Sequence, residues 1–188
     1  MTKIGLMSDS HRNLGYLKKA ADYLVKEAKV DFLIHLGDDY EDAELLKDYE
    51  AKLIQVPGVF SPLYHDPDVS NRIMTNIEGL RIMISHTVSF HKNDSKDDLL
   101  PEEAIKKGWV DMLLYGHTHI YSVDLDQEGV LLINPGHLKA EEDKGNPPTF
   151  SEIEIGDKEI KVRIIGLDYR IILEEEFSKN PAKGARKR

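Results

Sequence analysis

Four short apolar runs, at residues 3–7, 31–36, 80–85 and 111–115, each lead directly into a polar turn. Those turns read Asp9-Ser10-His11, Gly37-Asp38, Ser85-His86 and Gly116-His117-Thr118-His119. A brief apolar run bounded by turn residues reads as a buried strand. Four strands, each ending on such a turn, point to an α/β chain with these residues at strand carboxyl ends. In open α/β sheets that edge is where ligand sites are built. Four imidazoles and two carboxylates converging there would make a site for two divalent cations.

The rest of the pattern fills in around these turns. Asn13 is the predicted N-cap of a helix whose Leu14, Leu17, Ala21, Leu24 and Ala28 recur at three- and four-residue intervals. A short acidic helix is predicted over 42–49, then a third strand over 52–56 stopped by Pro57-Gly58, and a loop over 59–71. Residues 72–77 and 80–85 flank Glu78-Gly79 as a hairpin. A polar loop covers 91–98, and Pro101 opens a helix through 107. After His119 the pattern changes to strands over 121–125, 130–133, 149–155 and 159–165, joined by turns such as Glu128-Gly129 and Gly156-Asp157. The first half alternates strand and helix, while the second half is mostly antiparallel. Two packed sheets with helices outside satisfy both halves. Residues 1–166 are read as a single domain, and 167–188 as a C-terminal extension. Its end, from Ser178 with Lys179, Lys183, Arg186, Lys187 and Arg188, is expected to be a disordered basic tail.

Composition narrows the chemistry. The chain has no cysteine, so any metal is held by nitrogen and oxygen. Carboxylate with imidazole suits manganese, iron, zinc, nickel or cobalt better than a site built for magnesium or calcium alone. The net charge of −9 argues against generic binding to nucleic-acid backbone. It permits a phosphate substrate, because bound dications dominate their local field. No apolar run approaches the ~20 residues of a membrane helix, and the N-terminus turns polar at once. The expectation is therefore a cytoplasmic protein without membrane contact.

The ordered set of motifs resembles the calcineurin-like metallophosphoesterases, in particular their small bacterial and archaeal phosphodiesterase branch. The family pattern D-x-H, G-D, G-N, H and G-H-x-H is matched by Asp9 and His11, Gly37-Asp38, His86, and Gly116-His117-Thr118-His119. Asn134-Pro135-Gly136 is similar to the turn that branch carries after its metal motifs. The resemblance implies a four-layer αββα sandwich of two mixed sheets, with Asp9, His11 and His119 on one metal, His86 and His117 on the other, and Asp38 bridging. It departs at one place. The family's Gly-Asn, whose Asn ligates the second metal and is often followed by a catalytic His, is replaced by Gly58-Val59-Phe60. Ser61, His65 and Asn71 are the nearest replacements in sequence. Water or substrate filling the vacancy, or a weak second site, are the other accounts.

The expected activity is metal-dependent phosphoester hydrolysis of a small substrate, on diesters rather than monoesters. A bridging hydroxide held by two ions, with manganese favoured, would attack phosphorus in line. Asp38 would position the ions, and His65 or His91 would supply a proton or a phosphate contact. The alternative is a catalytically weak or inactive binding or scaffold protein on the same fold, which the lost Asn favours and the intact histidine pairs oppose. His35 is expected to be a hydrogen-bonded core residue, and His137 could reach the cleft from its turn. Asp39 to Asp42, Asn93, Asp94, Asp97 and Asp98 are read as solvated loop, and Trp109 as packing at a strand edge. A homo-oligomer stays open, since apolar hairpin strands such as 72–77 could support one.

Overall fold

The computed structural model describes residues 1–179. In chain order it holds β1 (Thr2–Met7), α1 (Leu14–Lys26), β2 (Phe32–His35), β3 (Lys52–Gln55), β4 (Arg72–Ile77) and β5 (Leu80–Ser85). There follow α2 (Pro101–Lys106), β6 (Met112–Leu114), β7 (Ser122–Leu125), β8 (Leu131–Asn134), β9 (Thr149–Ile155), β10 (Glu159–Gly166) and β11 (Ile171–Ser178). One mixed sheet has the order β11-β10-β9-β1-β2-β3 and the other β4-β5-β6-β8-β7. β1, β2 and β3 are mutually parallel, as are β5, β6 and β8.

Period-two alternation sorts the side chains into layers. Ile4, Leu6 and Ile34 of the first sheet meet Ile82, Ile84, Met112 and Leu114 of the second in one buried cluster between the sheets. Met7 and Leu33 point the other way and pack under Leu17, Ala20, Ala21 and Leu24 of α1. Met83 and Leu113 pack outward with Ala104 of α2. This is the four-layer arrangement implied by the resemblance. α1 buries a narrower face than its spacing predicts, because Leu14 at its start remains 48% exposed. Asn13 does cap it, accepting from the Tyr16 N–H at 3.3 Å.

Several local expectations change. The acidic helix begins earlier and is a 3-10 segment, Tyr40–Asp48. A second 3-10 turn, Pro62–His65, interrupts the loop over 59–71 and is capped by Ser61. Residues 171–178, which fell in the stretch read as an extension, form edge strand β11 on β10. Phe177 anchors it in the core, and Arg163 and Lys161 meet Glu174 and Glu176 across the pair. The basic tail from residue 180 lies outside the described residues.

Two residues read as solvated loop are not. Asp42 is buried and accepts from Ser10 Oγ at 2.7 Å and from the Arg12 N–H at 2.8 Å. The Asp94 side chain is 1% exposed and pairs with Arg72, itself 3% exposed, at 2.8 Å. A buried carboxylate needs such partners because desolvating an unpaired charge costs several kcal/mol. Trp109 is half exposed, under the Lys107 ammonium.

Candidate metal centre

The parallel strands bring their carboxyl ends to one edge, where the polar turns meet. Two glycines allow the approach. A Cβ on Gly116 would lie 2.0 Å from Ser8 Oγ and 2.7 Å from Asp9 Oδ2. One on Gly58 would lie 2.4 Å from the Asp38 Cα. Asn134, fully buried at the end of β8, clamps the last turn by donating to the Gly116 carbonyl and to Thr118 Oγ1.

Backbone strain is concentrated here. Asp9, His11, Arg12, Asp38, His117 and His119 all adopt left-handed φ, between 46° and 72°. Each such non-glycine residue costs on the order of 1–3 kcal/mol and persists only where surrounding contacts hold it. Five of the six are residues that the spacing marked as ligands.

The side chains converge. Ligand atoms of Asp9, His11, Asp38 and His119 all lie within 4.8 Å of one another. His11 Nε2 is 2.7 Å from Asp38 Oδ2 and 3.1 Å from His119 Nε2. Asp9 Oδ2 accepts from Ser8 Oγ and from the His117 N–H, whereas its Oδ1 is buried without a hydrogen bond, 3.2 Å from His119 Nε2. Two imidazole nitrogens facing each other beside an orphaned carboxylate oxygen suit a cation better than a protein hydrogen bond. Asp38 reaches further. Its Oδ1 is 3.2 Å from His86 Nε2, which lies 3.1 Å from His117 Nδ1. His86 Nδ1 donates to the Leu36 carbonyl, so in the neutral ring Nε2 carries the lone pair.

Electrostatics without an ion follow from this crowding. The nearby carboxylates of Asp38 and then Asp9 push His119 up to about 10. Burial opposes charge on His86 most strongly, yet the Asp38 hydrogen bond holds it above its ordinary value. Burial would raise Asp38, but hydrogen bonds from His11, His119 and His86 outweigh it and hold it far below the carboxylate range. His117 is lowered, by burial first and by neighbouring His86 next.

His119 is steered by a residue the sequence did not single out. Its Nδ1 makes a very short hydrogen bond to Asp143, which also meets Lys139 Nζ at 2.9 Å. A carboxylate behind a ligating imidazole fixes its tautomer and orientation. Replacing Asp143 by Asn should weaken binding of a divalent ion about 10–100-fold, read by calorimetric titration, with the fold unchanged because Asp143 is a partly exposed loop residue.

The altered motif sits against this cluster. Val59 is 2% exposed, and its carbonyl accepts from Asn93 Nδ2. Phe60 is 69% exposed, with its ring 5.6 Å from that of His91 and 6.4 Å from that of His117. None of the three proposed replacements is brought to His86 by a contact among the described residues. Ser61 caps its turn, and the Asn71 amide donates to Asp98. His65 is exposed with its ring against Tyr64. His91 is drawn in, 5.7 Å from His117 ring to ring.

A model of the calcineurin-like phosphoesterase superfamily domain matches residues 2–158. The chain belongs to that superfamily. A phosphodiesterase of Methanocaldococcus jannaschii is 30% identical over 148 residues, covering 71% of this chain and 82% of its own. A solved archaeal phosphodiesterase superposes with a TM-score of 0.67 at 27% identity, over 87% of this chain and 100% of its own. Vacuolar protein sorting 29 of Cryptosporidium parvum shares the fold, with a TM-score of 0.70 at 21% identity over 95% and 98%. Among the described residues no helix of this calcineurin-like phosphoesterase is long and apolar enough to cross a membrane.

Two further histidines support the turns. His137 is buried with Nε2 against the Asn146 carbonyl, its ring 5.6 Å from His119. His35 is fully buried beside Ser10 at 3.3 Å, with Nδ1 unpartnered. Desolvation drops His35 to about 4, so the folded state takes up its proton less readily than the unfolded chain. The unfolded chain thus binds more protons between about 4 and 6.5, and stability present above 6.5 is lost as pH falls toward 4. The expected loss is on the order of 3 kcal/mol. Denaturant melts in chelator at pH 7 and pH 4.5 should show a decline that His35→Gln reduces. Parallel declines in both proteins would refute a neutral buried imidazole.

Proposed function

We propose that this calcineurin-like phosphoesterase is a metal-dependent phosphodiesterase acting on small esters. The observation carrying the reading is Asp38. Its two oxygens face separate histidine groups, His11 with His119 and His86 with His117, on a backbone strained at nearly every donor. A fold-only protein has no need for that convergence. One ion would be held by Asp9, His11, Asp38 and His119, and a second by Asp38, His86 and His117. Divalent ions such as manganese supply Lewis acidity there, lowering the pKa of water and neutralising charge on phosphoryl oxygens.

The chain's own residues orient the substrate and move protons. The Asn93 N–H donates to His91 Nδ1, which places the neutral ring's proton on Nε2. His91 is therefore the proposed donor to the departing oxygen, in place of the histidine that Phe60 displaces. A second reading, a weakly active binding protein, is favoured by buried Val59 at the family's Asn position. Hydrolysis of bis(p-nitrophenyl) phosphate and of p-nitrophenyl phosphate with added Mn²⁺ separates the two. Turnover abolished by chelator, and faster on the diester, is the expected result. Absence of turnover across Mn²⁺, Ni²⁺, Co²⁺ and Zn²⁺ would select the binding protein.

A further inference from the structure

The loss of Asn and His from the third motif also places an exposed aromatic ring beside the metal centre. Phe60 is held in place although its ring is open to solvent. Val59 before it is buried, Ser61 after it caps a 3-10 turn, and the ring lies against His91 and His117. Its side chain lines a cavity of about 630 Å³ that runs to the donors His11 and Asp38. That volume is in the range that holds a small molecule. Leu14, 48% exposed, and Pro62 line the same cavity. The opposite character comes from Asp39 and Glu41 on the rim, with Arg12 already paired to Asp39 at 3.3 Å.

We infer that Phe60 is the specificity-determining residue for the substituent on phosphorus, and that the substituent is a flat aromatic ring, an aryl group or a nucleobase. The inference rests on the phosphodiesterase reading and names its substrate class. An exposed phenyl ring next to two imidazoles offers an offset-stacked or edge-to-face partner to a second ring. Leu14 and Pro62 extend the apolar surface on which that ring would rest. The acidic rim repels substrates that bring several further negative charges, so a singly charged diester is favoured over a polyphosphate or a nucleic-acid strand. A concave cavity of this size reaching the metal donors fits a small ligand rather than the flat surface of a protein partner.

Calorimetric titration of the Mn²⁺-loaded protein with methyl phenylphosphonate and with methyl methylphosphonate tests the inference. Both are singly charged diester mimics, and they differ in one flat ring. The phenyl compound should bind about tenfold more tightly. In Phe60→Ala the ratio should fall toward one, while Phe60→Tyr retains it. Mn²⁺ affinity should be unchanged in both variants, because Phe60 offers no ligand atom. Equal binding of the two phosphonates to the unsubstituted protein, or a ratio that survives in Phe60→Ala, would overturn the aromatic shelf and leave the phosphoester site standing. Failure of both phosphonates to bind would overturn the phosphodiesterase reading itself, and this inference with it.

Discussion

Asp38→Asn should lower kcat/KM on an aryl phosphodiester by at least about a thousandfold, equivalent to ~4 kcal/mol of transition-state stabilisation. Asn is the informative substitution because Asp38 sits at a φ of 72°, a conformation that Asn tolerates and Ala does not. The side-chain shape is kept while the charge shared by two histidine groups is removed. Metal content after dialysis should fall with activity, since a neutral amide cannot hold two cations together. His86 and His119 should also titrate lower in the metal-free variant, as both are held up by hydrogen bonds to this carboxylate. Asp38→Ala should lose the same activity and in addition some stability from backbone strain. Metal-dependent turnover retained in Asp38→Asn would sink the bridging role.

The site was more legible in sequence than the loops around it. Asp9, His11, Asp38, His86, His117 and His119 each follow a buried strand, so the period-two pattern that locates the strand also locates its polar end. Asp143, Asp42 and Asp94 had no such marker. Each lies in a short polar stretch without periodicity, and a loop aspartate looks the same in sequence whether it faces water or a buried partner. Only three-dimensional proximity puts Asp143 behind His119, 24 positions away. β11 was missed for a different reason. Its sequence Ile-Ile-Leu-Glu-Glu-Glu-Phe-Ser does not alternate cleanly, and its two leading isoleucines are 52% and 41% exposed. Tertiary pairing with β10 and one anchor, Phe177, decide it. His65 shows the converse error. Nearness in sequence to the altered motif suggested a role, but His65 is exposed at the end of a 3-10 turn with its ring against Tyr64.

Asp94→Ala should be strongly destabilising although Asp94 stands outside the metal-ligand cluster. The carboxylate accepts from Tyr64 Oη at 2.5 Å, from the His91 N–H at 2.8 Å and from Arg72 Nη2 at 2.8 Å. Burial opposes its ionisation most strongly, yet those three donors hold it below the ordinary carboxylate value. Its contribution is therefore present above about pH 4 and lost as the carboxylate is protonated in acid. Removing it strands a guanidinium whose Nε and Nη1 already lack hydrogen-bond partners. Breaking a buried pair in this way costs roughly 3–5 kcal/mol. Asp98, 3.7 Å from Arg72 Nη1 and partly exposed, offsets some of that and places the expectation near ~3 kcal/mol. For a chain of this size Tm should fall by roughly 10 °C. The double variant Arg72→Met with Asp94→Leu should recover part of the loss, because it removes both charges and keeps the volume filled while the Tyr64 hydroxyl and the His91 N–H stay without their acceptor. A fall in Tm within about 2 °C for Asp94→Ala would show that the pair merely breaks even against water. Activity should drop further than stability alone requires, since the same carboxylate fixes the backbone of His91, the proposed proton donor, next to His117.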